Sequence, residues 1–80
     1  MPQYCIQVPG MPPLFVRCAG CSGDALQMAL RPQGLACFRV ERRSKGGHQW
    51  WFAATFKPGS IDPAVTEELT LSVSVDRIEG

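Results

Sequence analysis

Histidine is nearly missing from this chain: His48 is the only one in 80 residues. A catalytic triad would have to rest on that one side chain, placed beside Gly46-Gly47 in a turn. No Gly-x-Ser-x-Gly elbow occurs, and no glycine-rich loop of the kind that cradles phosphate. Glu67 and Glu68 are adjacent, so in a strand they would face opposite ways and could not share one proton. Long apolar runs are lacking too, and nothing approaches the roughly 20 residues that span a bilayer. Met1 to Gly10 contain no Lys or Arg and two prolines, unlike the basic, apolar start of a signal peptide. These absences lead us to expect a cytoplasmic protein with no membrane contact and no enzymatic activity. Eighty residues also make a single domain, 1–80, with little volume for an ordinary ligand pocket.

What is present is an ordinary globular composition, 45% hydrophobic. A chain this short buries only about 60–65% of its unfolded surface, so a staple or a partner often helps it. The net charge of +1 hides an asymmetry. Residues 1–57 hold seven basic and two acidic side chains, whereas residues 58–80 hold one basic and five acidic ones. Such polarity either steers a partner or neutralises itself across the fold.

Turn signals recur at close intervals: Pro9-Gly10, Ser22-Gly23-Asp24, Pro32-Gln33-Gly34, Gly46-Gly47 and Pro58-Gly59. Short apolar runs lie between them. The expected class is therefore mainly β, a small antiparallel meander or barrel of five to six strands. Leu69, Leu71, Val73 and Val75 alternate with polar residues without a break, which predicts a half-buried strand. Tyr4, Ile6 and Val8 give a shorter version, as do Leu14, Val16 and Cys18. A hairpin is predicted with arms at about 36–43 and 48–56, closed by a three-residue loop of Ser44-Lys45-Gly46. That register sets Val40 against Trp50, Phe38 against Phe52 and Ala36 against Ala54, which makes one face apolar along both arms. Residues 24–31 read two ways. Leu26, Met28 and Leu30 alternate as a strand, the reading preferred here. Leu26, Ala29 and Leu30 would share a helical face, with Ser22 as a cap. A short helix at about 23–31 would make the class α+β.

Four cysteines stand out. Cys18-Ala19-Gly20-Cys21 is a Cys-x-x-Cys pair, and Cys5 and Cys37 are the remaining thiols that would complete a tetrahedral structural zinc site. His48 is a substitute ligand. Against zinc stands the lack of a second knuckle; the single cysteines also sit in apolar strands, where free Cys behaves as a small hydrophobe. No cofactor is the preferred reading, with one structural zinc as the alternative. A Cys-x-x-Cys at a helix start also looks similar to the local layout of a glutaredoxin, which would imply thiol oxidoreduction. Nothing downstream reads as that family's βαβ framework.

The surface candidate is basic and aromatic. Arg39, Arg42, Arg43, Lys45 and His48 crowd the hairpin beside Trp50 and Trp51. The expected register places Arg39 opposite Trp51 as a cation–π pair, on the face away from Val40 and Phe52. Trp and Arg dominate protein hot spots, so Arg39, Arg42, Arg43, Lys45 and Trp51 are the expected partner-binding residues. The same cluster suits single-stranded nucleic acid, which stacks on aromatics beside cations. A plainer account makes the charges a solvated face and Trp51 part of the packing. An edge strand with a spare Trp also suits a homodimer.

In size and in its lack of motifs, the chain resembles the small phage-encoded inhibitors of bacterial immunity, the anti-CRISPR proteins among them. The resemblance lies in overall character and transfers no functional positions. It implies a way of acting: blocking a nucleic-acid-handling or effector complex by occupying its surface. The expected function is thus a non-enzymatic protein-binding module of the inhibitor kind, with a zinc-stabilised nucleic-acid-binding module as the alternative and a thiol oxidoreductase as a second.

Overall fold

The alternation at Leu69 to Val75 forms the last strand along the chain, and that strand lies at the centre of the sheet. A computed structural model describes residues 1–34 and 37–79, with only the backbone of Cys37, Phe38 and Glu79. Five strands make one antiparallel sheet: β1 (Gln3–Gln7), β2 (Leu14–Arg17), β3 (Cys37–Gly46), β4 (Gln49–Phe56) and β5 (Leu69–Glu79). Their order is β2-β1-β5-β4-β3. The class is mainly β with one short helix. The sheet is open, with β2 and β3 as its edges, and is not a closed barrel.

The helix falls where the strand reading was preferred, so that preference is corrected. Ser22–Leu30 form α1, burying Ala25, Leu26, Ala29 and Leu30 while Met28 points outward. Topology supplies the reason. The chain leaves β2 at one edge and must reach β3 at the other, so this segment crosses the sheet face. An amphipathic helix both spans that face and covers it. The cap residue is Cys21, not Ser22. The Asp24 carboxylate accepts hydrogen bonds from the Cys21 backbone N–H at 3.3 Å and from its Sγ at 3.5 Å. A Cβ on residue 20 would collide with that carboxylate, which accounts for Gly20. Pro32 lies in a 3₁₀ turn at Arg31–Gln33, and Gly34, at φ 72°, ends it.

Under α1 lies the core. One row of directly opposed residues crosses all five strands: Leu14, Ile6, Val75, Trp50 and Lys45. Tyr4, Ile6, Val8, Phe52, Ala54, Phe56, Val73 and Val75 are buried on this inner face. Lys45 ends the row because β3 is an edge, where an inward-facing position need not be apolar.

The hairpin register differs from the expected one. Lys45 lies opposite Trp50, Arg42 opposite Phe52, and Val40 opposite Ala54. The turn is Gly47-His48, two residues between the paired Gly46 and Gln49. Gly47 has φ 59°, and no non-glycine residue among those described has positive φ. Positive φ at the first central position alone is the type II′ pattern. Two consecutive glycines offered two sites for a left-handed residue, and the second one took it. Bulges at Phe38 and Arg43 shift the pairing further. The expected pairings of Phe38 with Phe52 and Ala54 with Ala36 are therefore replaced, and Ala36 itself lies outside the described residues. Faces survive the change between Arg39 and Arg42, because Val40 slid by an even number of positions. Phe52 is buried, Val40 and Trp50 pack against the core, and Arg39 and Trp51 are exposed.

Candidate binding surface

Among the described residues, only the inner face of the sheet carries a helix. On the outer face, Gln7, Ser74, Trp51 and Ser44 are directly opposed across four strands. Trp51 is 40% exposed there. Beside it the loop after β1 folds back, so that Pro9, Met11 and Pro13 stand across from the indole. The result is a shallow groove of about 310 Å³, floored by Ser72 and Ser74 and edged by Gln7 and Val8. An indole wall, a proline wall and a hydroxyl floor suit contact with an amphipathic side chain.

Strand β3 is the edge beside this face and carries cations on both of its sides, Arg39 on the outer one and Arg42 and Lys45 on the inner. Arg39, Arg42, Arg43 and Lys45 are all exposed. Glu41 pairs with Arg43 at 3.3 Å, with both side chains more than half exposed. Such a pair is worth little, so the strand keeps its positive balance. The expected cation–π pair of Arg39 with Trp51 is not formed: Arg39 lies opposite Thr55, and Ser44 lies opposite Trp51. Lys45 takes that role with the other indole, its Nζ 5.6 Å from the Trp50 ring centre. Trp50 is held in turn by Tyr4, with ring centres 6.2 Å apart and planes tilted by 57°. The Tyr4 hydroxyl donates to the Gly20 carbonyl at 3.4 Å, tying this corner to the start of α1.

Among the described side chains, Cys5, Cys18 and Cys21 are not gathered as the ligands of a zinc centre are. Cys18 is buried in the core under α1, where its Sγ accepts the Gly20 N–H at 3.3 Å. Cys21 is exposed at the cap of α1. Cys5 alternates with the inward-facing Tyr4 and Ile6, so it belongs to the opposite face, between Phe15 and Asp76. The side chain of Cys37 lies outside the described residues. Among the described residues, no three His, Cys, Asp or Glu side chains cluster as metal ligands do.

Sequence reasoning missed the groove-lining residues Gln7, Pro9, Met11, Pro13, Ser72 and Ser74. They meet Trp51 only because β5 inserts between β1 and β4, and no local pattern signals that. Phe15, 61% exposed on the outer side of β2, was missed as well. No family model matches the chain, and no match was found among curated proteins or solved structures. No helix among the described residues is long and apolar enough to cross a membrane.

Proposed function

We propose that this protein is a non-enzymatic binding module that docks on a protein partner, in the manner of a small inhibitor occupying the surface of a larger nucleic-acid-handling or effector complex. The observation that carries the reading is Trp51, an indole left 40% exposed on the sheet face opposite α1, on the strand next to the basic edge. Tryptophan and arginine are both enriched at binding hot spots. The outer face supplies the anchor, and Arg42, Arg43 and Lys45 supply charge that steers an acidic partner.

A pull-down from bacterial lysate tests this with wild type, Trp51→Ala and Arg42→Glu side by side. The same captured protein should be retained by wild type and lost by both variants. Retention by both variants overturns the assignment of the surface. Thermal melts of the variants separate lost binding from lost folding.

A further inference from the structure

Building on that reading, we infer that the open edge of β3 takes an extended acidic segment of the protein partner as a sixth strand. Three observations carry this. First, β3 is ten residues long and pairs only with β4, and no described strand lies beyond it. Its outward N–H and C=O groups form a template for another chain. The other edge is poorly suited, since β2 has four residues and follows Pro12-Pro13. Second, β3 carries four basic side chains against one acidic one. Third, the two bulges frame a regular stretch, Arg39 to Arg42, whose pairing with β4 is unbroken.

Charge decides among occupants. Pairing with a second copy would bring two strands of the same positive balance together, and like charges across a ladder repel. The basic residues and bulges thus protect the edge against self-association, while an acidic strand turns the same charges into attraction. A nucleic acid would satisfy the cations but not the edge. Its backbone phosphates only accept hydrogen bonds, and its base donors do not recur at the spacing of the outward carbonyls of β3. An added strand supplies donors and acceptors in alternation. Its residue beside Arg42 is acidic and its residue beside Val40 apolar, because both of these lie on the inner face of β3.

The test uses the full chain and a labelled peptide of about ten residues in which threonine holds every second position and the places between alternate glutamate and valine, so that one face offers an acid beside Arg42 and an apolar side chain beside Val40. Fluorescence anisotropy should report binding that weakens as salt rises from about 0.1 M to about 1 M, where the screening length falls from about 10 Å to about 3 Å. Methylating two backbone nitrogens of the peptide should weaken binding by about tenfold, since main-chain donors are removed. The double variant Arg42→Glu, Arg43→Glu should lose the peptide and gain one with lysine in place of glutamate. Equal binding of the methylated peptide, or tighter binding of a single-stranded oligonucleotide of matched charge, overturns the inference. The pull-down reads out the wider proposal separately. Capture that depends on Trp51, with no peptide bound, leaves the binding module standing and removes the sixth strand.

Discussion

Replacing Leu26 and Met28 separately with alanine distinguishes a helix from a strand at this segment in a single measurement. In a strand, Leu26, Met28 and Leu30 would share one face, and the two replacements would cost alike. In α1, Leu26 is fully buried while Met28 is 45% exposed. Leu26 packs in the core cluster with Ile6, Phe56, Val73 and Val75. Truncating a buried leucine removes its transfer energy and leaves a cavity, a loss of about 2–5 kcal/mol. Met28→Ala removes a half-solvated side chain and installs the best helix former, so its effect should stay within about 0.5 kcal/mol. A domain of this size is stable by about 4–12 kcal/mol, so the Leu26 change consumes a large share. Each kcal/mol corresponds to about 4–8 °C of melting temperature at this length. Leu26→Ala should therefore melt at least about 8 °C lower, and Met28→Ala within about 4 °C of wild type. Circular dichroism on both variants checks it. Equal losses from the two would refute the helical packing.

Three other outcomes follow from local geometry, each read by urea denaturation. Gly47→Ala should destabilise by about 1–2 kcal/mol, because an L-residue at φ 59° is strained. Gly46→Ala meets open space at ordinary φ and should be neutral or slightly stabilising; equal effects at the two positions would misplace the turn. Gly20→Ala should cost about 1 kcal/mol by displacing the Asp24 carboxylate from the Cys21 N–H, and much less in an Asp24→Ala background. Thr55→Val and Thr70→Val should each cost about 1 kcal/mol, and the double variant less than their sum, since their Oγ1 atoms share one hydrogen bond of 3.0 Å.

The alternation at Leu69 to Val75 announced its strand because Val73 and Val75 turn into the core while Thr70 and Ser72 stay exposed on the other side; Ser74, buried opposite Trp51, is the exception. Residues 24–31 were misread because a short segment with leucine or methionine at every second position fits both periods. What resolved it was the crossing from edge to edge, a tertiary fact. The hairpin was legible as a hairpin but not in register. The rule of matching apolar faces presumes that both arms are covered, and β3 is an edge where Arg42 and Lys45 stand opposite Phe52 and Trp50. Trp51 was placed on the outer face by parity alone, which survives an even slip. The groove beside it was not legible, since it joins Pro9 and Met11 to Trp51 through the intervening β5.

The central place of β5 also governs how the chain reaches its native state. Until residues 69–79 are available, the β1–β2 pair and the β3–β4 pair have no common neighbour, and Tyr4, Ile6 and Phe52 lack the strand they pack beside. Folding must wait for the last strand along the chain to enter between two hairpins made long before it. Contacts of such long sequence separation slow the process. A ribosome-bound or clipped chain missing β5 would expose two further strand edges, an aggregation-prone species rather than a smaller version of the domain.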